Sequence, residues 1–240
     1  TAIIIATVLG LTVLGYKLHT SLVPAVAEYI ANEIPREIYE KIGESSLQSF
    51  DQNEFSATSL PMSKQNDVSR LHAALLEKLA LSPERNQLHF RQWQEQMNAF
   101  ALMDGSIVLS DQLVLNLQSE QQLEAVILHE IGHIEHNHLM ENTIRVSLFY
   151  MILSFVFGDV SVVSDLLIEG SMLGVSFSYS REFEEEADHF ASQHLIALYG
   201  NANALTDALD ILHQHSKDQG PSWLSTHPSL EERKAKLSNE

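Results

Sequence analysis

His129-Glu130-Ile131-Gly132-His133 sets two imidazoles four residues apart with a carboxylate beside the first. On a helix, the two histidines stand about 40° apart on one face and about 6 Å apart along the axis, so both rings can meet one zinc ion. Glu130 projects about 100° away from His129, where it can take a proton from a water at the metal without ligating the metal itself. With 12 His in the chain, a chance occurrence of this pattern has an expectation of roughly 0.05. Its placement adds weight. Ser119 and Gln122 form a capping box that predicts a long helix running to about His138. Leu123, Val126, Ile127, Ile131 and Ile134 give that helix a separate face for packing.

Two histidines leave a catalytic zinc short of a third protein ligand. His136 is almost on the same face as His129, but about 10.5 Å further along the axis, too far for one ion on a straight helix. The HExxHxxGxxH pattern, which breaks the helix at Gly, is absent, because His136 and Leu139 occupy the corresponding positions. His136 and His138 are therefore expected to be solvated or to support the ligands from behind. The acidic stretch from Ser180 to Asp188 is the obvious source of the third ligand. Glu182, Glu185 and Glu186 read as a solvated face, whereas Glu184 and Asp188 are spaced i, i+4. One carboxylate of such a pair can bind zinc while the other orients a ligating histidine through its free ring N–H.

The elements that must position these groups are mostly helical. Residues 20–50 are amphipathic, and residues 51–62 are polar and turn-rich, which predicts a linker. A helix is expected from about Lys64 to Ala80, with Val68, Leu71, Leu75, Leu76 and Leu79 on one face, ending at Leu81-Ser82-Pro83. The strand region is small: Leu88–Gln94, Asn98–Leu102 and Ser106–Ser110, the last two joined by a hairpin turn at Asp104-Gly105. Residues 146–158 form an uncharged run between Arg145 and Asp159, a length that suits a buried or interfacial helix better than a span. A further helix, starting after Asp165, should carry residues 180–197. The fold expected is α+β and predominantly α, a zincin-like domain with a small sheet beside the zinc-binding helix.

Composition removes other chemistries. The chain has 240 residues, enough for a substantial core, and a formal net charge of −18, which argues against a nucleic-acid partner. It has no Cys, so disulfides, thiolate nucleophiles and Cys-ligated metals are excluded. Thr1–Tyr16 carries no charge and is closed by Lys17, slightly short of the ~20 residues of a spanning helix. Because the chain begins with Thr, this run is expected to be the C-terminal part of a longer apolar segment acting as a membrane anchor. The organisation expected is an apolar segment over 1–18, an amphipathic helical segment and linker over 19–62, and a catalytic domain over 63–240.

HEIGH followed about fifty residues later by SRxxExxAD resembles the M48 metallopeptidase family, which includes Ste24-type and HtpX-type proteases. Asn98-Ala99-Phe100-Ala101-Leu102 with Gly105, and Thr226-His227-Pro228 with Arg233, match it further; the resemblance covers roughly residues 70–240. It implies one zinc ion per chain on His129, His133 and Glu184, with Glu130 as the catalytic acid/base. It implies Asp188 as a support behind the ligands, with Arg181 and His227 near the site, and His227 is the candidate oxyanion donor. It also implies an extended polypeptide substrate running antiparallel along an edge strand, for which Asn98, Ala99, Phe100 and Ala101 are the candidates. A zinc metalloendopeptidase of gluzincin type acting on unfolded or membrane-associated proteins follows. Its location would be the bacterial cell envelope, with the periplasmic side favoured over the cytoplasmic. Two alternatives are a zinc-stabilised chaperone-like scaffold with weak or latent activity and a zinc hydrolase of small amides.

Overall fold

The computed structural model describes residues 2–157, 179–219, 223, 227–228 and 230–237. Its first feature is a helix far longer than the uncharged run. α1 (Ala2–Lys17) continues through a π-helical turn (Leu18–Leu22) into α2 (Val23–Glu33), with Pro24 in the first turn of α2. α3 (Arg36–Asn53) follows after Pro35, whose extended backbone breaks the helix. α4 (Met62–Leu79) covers the expected span and ends on Ala80 in a left-handed conformation.

The strands are β1 (Ser56–Ala57), β2 (Gln87–Gln92), β3 (Ala99–Ala101) and β4 (Ser106–Ser110), in the order β1-β2-β4-β3. β3 and β4 form the expected antiparallel hairpin, with Ala99 opposite Leu109 and Ala101 opposite Ile107. Gly105 makes its turn at φ 91°, where an added Cβ would lie 2.1 Å from the Arg85 carbonyl oxygen. β2 runs parallel to β4. Residues 51–62, expected as a linker, are instead tied to the sheet. β1 pairs antiparallel with β2, and the Thr58 and Ser59 hydroxyls and the Ser59 N–H all donate to the Asp111 carboxylate. Polar composition suggested a loop because these hydroxyls find their acceptor 52 or 53 residues away.

After α5 (Asp111–Asn116), the central helix α6 (Glu120–Glu135) starts at Ser119, whose hydroxyl accepts from Gln122 N–H. The Gln122 amide reaches Gln118 N–H rather than the Ser119 amide, so the reciprocal arm of the box lands one residue earlier. α6 ends at Glu135 with His136 as its C-cap, before the expected His138, because Asn137 takes a left-handed φ of 56°. α7 (His138–Phe157) then leaves in a new direction. α8 (Arg181–Tyr199), α9 (Asn203–Gln219) and α10 (Leu230–Leu237) complete the described helices. The expected start of the α8 segment after Asp165, the end of the apolar run at Gly158, and Thr226 lie outside the described residues.

β4 is buried on both faces. Ile107 and Leu109 join the main core with Leu75, Val126, Ile127, Ile131 and Leu195, while Val108, one residue out of phase, meets Phe50, Phe55 and Phe100 on the other side. α3 is therefore part of the packing around the sheet, and Gly43 permits it: a Cβ there would lie 2.5 Å from the Asp104 nitrogen.

Candidate metal centre

The site forms where α6 and α8 cross, and Gly132 sets how close they come. A Cβ at Gly132 would lie 2.9 Å from Ala187 Cα and 3.2 Å from the Ala187 carbonyl oxygen. The glycine inside the HEIGH motif thus lets the α8 backbone rest against α6. That contact puts Glu184, one turn before Ala187, opposite His129 and His133.

His129 Nε2 lies 3.0 Å from His133 Nε2, and His227 Nδ1 lies 3.2 Å from His129 Nε2. Glu184 Oε1 is 3.0 Å from His227 Nδ1 and 3.6 Å from His133 Nε2, and its Oε2 is 3.6 Å from His129 Nε2. These four residues are buried, and one donor atom from each falls within 4.8 Å of the others. The tautomers make the purpose of this convergence plain. His129 donates from Nδ1 to Asp188 Oδ1 at 3.0 Å, so its Nε2 carries a bare lone pair aimed at the other donors. Lone pairs gathered in this way repel unless a cation sits among them. The observed separations bracket the ~3.3 Å edge of a tetrahedron with metal–nitrogen bonds of ~2.05 Å, so imidazole and carboxylate donors here fit zinc.

Burial also keeps the imidazoles in the form a metal requires. It lowers the pKa of His129 despite the neighbouring Asp188, holds His133 well below the usual value, and pushes His227 down to about 4. The same burial raises Glu184 to about 7, although Arg233 and His129 pull it down. Asp188 behaves differently. Burial pushes its carboxyl up, but the Arg233 charge and its hydrogen bonds outweigh this and hold it well below the carboxylate range. Arg233 donates from Nε and Nη2 to the two Asp188 oxygens at 2.7 and 2.6 Å, and its Nη1 lies 2.7 Å from Glu184 Oε2.

Glu130 is fully buried beside this cluster. Its Oε1 accepts from Trp223 Nε1–H at 3.0 Å and lies 3.6 Å from His227 Nε2, while Oε2 has no hydrogen-bond partner among the described residues. Burial raises its pKa, opposed by His227 and the Trp223 N–H.

The structure thus gathers His129, His133, Glu184, Glu130, Asp188 and His227. It does not bring in Arg181, which stands in the first turn of α8 and pairs with Glu232 at the surface at 2.9 Å. Arg233 from α10, matched in the sequence only as part of a motif and given no role there, stands behind Asp188 and Glu184. β3, with Asn98 preceding it, is one of the two edge strands, but all four candidate residues are buried, and the Met97 carbonyl just before them accepts from Trp223 N–H at 3.2 Å. Sequence reasoning missed Trp223, stacked on His227 at 4.1 Å, and Tyr179, stacked on His133 at 4.0 Å. Neither carries a local pattern that would reveal it. His136 caps α6 by bonding its Nδ1 to the Gly132 carbonyl at 2.8 Å, away from the donor cluster.

Known proteins similar to this chain bear on the reading. "Mitochondrial metalloendopeptidase OMA1" of Arabidopsis thaliana is 31% identical over 137 residues, 57% of this chain and 28% of the relative. A "Beta-barrel assembly-enhancing protease" of Yersinia pestis is 29% identical over 152 residues, 58% of this chain and 31% of the relative. A "Protease HtpX homolog" of Paraburkholderia phytofirmans is 25% identical over 185 residues, 58% of this chain and 63% of the relative. The chain thus spans about a third of the length of the first two relatives. The profile of Peptidase family M48 matches residues 62–240, a stretch that holds both helices of the donor cluster and the arginine behind it, and the chain belongs to that family of metallopeptidases.

Proposed function

We propose that the chain is a zinc-dependent endopeptidase of gluzincin type, cutting extended segments of polypeptide. The observation that carries this reading is the convergence of His129 Nε2, His133 Nε2 and the Glu184 carboxylate on one buried point, with the free Oε2 of Glu130 beside it. Zinc held by those three residues would polarise the scissile carbonyl and acidify a water. Glu130 takes the water proton during attack on the carbonyl carbon and passes it to the departing amine, a role suited to a carboxylate whose pKa burial has raised. Trp223 Nε1–H steadies Oε1, leaving Oε2 for the proton. His227 would donate from Nε2 to the developing oxyanion once its ring turns from Glu184. The peptide would pair with the outer edge of β3 through main-chain hydrogen bonds, which selects extended substrates.

A second reading, a latent or chaperone-like form, is favoured by one observation. His227 Nδ1 completes a four-donor set, and a closed set of four is the mark of a structural rather than a catalytic zinc site. Two variants separate the readings. Glu130→Gln should keep zinc while peptide cleavage falls roughly 10²–10⁴-fold; cleavage that persists with zinc bound defeats the protease assignment. His227→Ala should lower cleavage if His227 serves the oxyanion, and raise it if the ring closes the site.

Membrane association belongs to the same proposal. Ile3–Glu33 is one helix of 31 residues, and Ile3 through Tyr16 expose their side chains. α2 packs antiparallel to α7: Asn32 meets Asn137 at one end, and the His19 ring lies 6.1 Å from the Phe149 ring at the other. Beyond that level both helices turn apolar groups outward, Met151, Ile152 and Phe155 on α7 and the apolar run on α1. Tyr16 and Tyr150 stand near the boundary, where amphipathic rings favour a bilayer interface. Both apolar stretches would enter the bilayer from the same face, with His138 behind the metal centre about 16 Å back along α7.

A further inference from the structure

The left-handed Asn137 that ends α6 has a chemical consequence. On an uninterrupted helix, residue 138 would stand about 140° round from residue 133 and face elsewhere. The turn at Asn137 brings the His138 ring back under the zinc motif, so that its Nδ1 lies 2.8 Å from His133 Nδ1. Its other nitrogen, Nε2, lies 2.8 Å from Glu186 Oε2. His138 is fully buried, with its ring sandwiched between Phe183 at 4.4 Å and His136 at 5.3 Å, so its orientation is held by packing as well.

One arrangement of protons satisfies every atom of this chain. His133 turns Nε2 to the donor cluster, so its N–H is on Nδ1 and donates to His138 Nδ1. His138 then carries its own N–H on Nε2 and donates to Glu186. We propose that His138 is a positioning residue for His133: it supplies the acceptor that fixes the tautomer and ring angle of the second metal ligand. Glu186, whose side chain is 48% exposed, anchors it from the surface. The two ligand histidines are therefore supported differently. His129 rests directly on the Asp188 carboxylate backed by Arg233, whereas His133 rests on a neutral imidazole whose carboxylate stands one ring further out.

This inference rests on His133 as a metal ligand, and its test reads metal affinity rather than cleavage. Zinc affinity of the full chain is measured by competition with a chelating dye. His138→Leu removes the acceptor and should raise the zinc dissociation constant roughly 10–100-fold. His138→Asn places Oδ1 where Nδ1 stood and should stay within about threefold of the parent. His138→Gln extends its amide toward Glu186 and should resemble the Leu variant. The Asn and Gln pair decides the matter even if the Leu variant fails to fold. Nitrogen-15 spectra of the zinc-loaded protein should show His133 protonated at Nδ1. Equal zinc affinity across the variants, or protonation of His133 at Nε2, overturns the proposal. So does a loss in the Asn variant as large as in the Leu variant, with zinc-free thermal stability falling in parallel, since that marks packing alone. Failure of the parent chain to take up zinc would defeat the metal reading on which the proposal stands.

Discussion

Replacing Gly132 by Ala tests whether the close crossing of α6 and α8 builds the metal centre. The new Cβ would sit 2.9 Å from Ala187 Cα and must recede by about 0.5 Å to reach the 3.4 Å of ordinary contact. Its obstacles are backbone atoms of α8 and the Phe190 Cβ at 3.3 Å, none of which can rotate away as a flexible side-chain end would. Overpacking of this kind costs about 1–3 kcal/mol, and the better helix propensity of Ala returns about 1 kcal/mol, so the net loss of stability is about 0–2 kcal/mol. The metal should suffer more than the fold. Glu184 lies one turn from Ala187 and moves with it, whereas metal–ligand distances tolerate only about ±0.2 Å. Displacement beyond that margin should weaken zinc binding by tenfold or more, a loss on the scale seen when ligand supports are removed. The assay is zinc competition against a chelating dye, with thermal unfolding followed in zinc-free and zinc-loaded protein. The zinc-free midpoint should fall by a few degrees at most, while the upward shift on adding zinc shrinks markedly. Parent-like zinc affinity in Gly132→Ala would refute the reasoning, because the crossing distance would then not control the ligand geometry.

Two further outcomes follow from groups away from the metal. His72 is buried, its Nε2 has no hydrogen-bond partner among the described residues, and burial lowers its pKa from 6.5 to about 4. Below pH 6.5 the unfolded chain takes up a proton that the fold refuses until about pH 4, so stability falls as pH drops through that interval. His72→Leu should flatten the slope in zinc-free unfolding measurements and return up to ~3 kcal/mol at the acid end; an unchanged slope counts against the assignment. The absence of cysteine allows single labels for the membrane. In vesicles of phosphatidylcholine and phosphatidylglycerol, an environment-sensitive dye on Leu9→Cys or Phe155→Cys should be quenched by spin-labelled lipid, and one on Glu77→Cys should not. A label at 155 that stays aqueous while the one at 9 inserts would show that α7 stands clear of the bilayer.

What could be read in the sequence was what local spacing dictates. Two histidines four apart share a helix face in any fold, and Ser119 caps that helix whatever packs on it. The same holds for β4, where the Asp104-Gly105 turn and the alternation of Ile107, Val108 and Leu109 specify strand and faces together. Groups that meet across the fold were legible only where a second motif marked them, as SRxxExxAD marked Glu184 and Asp188. Arg181 misled because it sits inside that motif, yet Ser180 caps α8 directly before it, and a first-turn side chain here reaches outward to Glu232. The arginine that holds Asp188 is 45 residues further on. For His138 the sequence left two places open, in solvent or behind the ligands, and one backbone torsion decides between them. Asn is, after Gly, the residue that most readily ends a helix in the left-handed conformation, so His136-Asn137 did carry the signal for the break. Continuing the helical pattern to His138 overlooked it.

The charges at the centre explain why its arginine takes the place it does. Glu130, Glu184 and Asp188 are buried to 0%, 0% and 4% exposure, and Arg233, at 2%, is the cation that faces them among the described residues. With the histidines neutral, three ionised carboxylates against one guanidinium leave the centre two charges negative, a state a buried site sustains only by taking up protons or a cation. The raised pKa values of Glu130 and Glu184 express the first option. A divalent ion provides the second, and restores neutrality with both carboxylates ionised. Arg233 does not compete for that role, because it commits two of its nitrogens to Asp188 and only Nη1 to Glu184 Oε2. Its fork keeps Asp188 ionised, and so keeps the His129 proton on Nδ1, where it leaves Nε2 bare. On Glu184 it approaches one oxygen and leaves Oε1 turned to the imidazoles. A lysine at 233 could neutralise as much charge, but its single ammonium could not divide itself between a carboxylate that must stay put and one that must stay available.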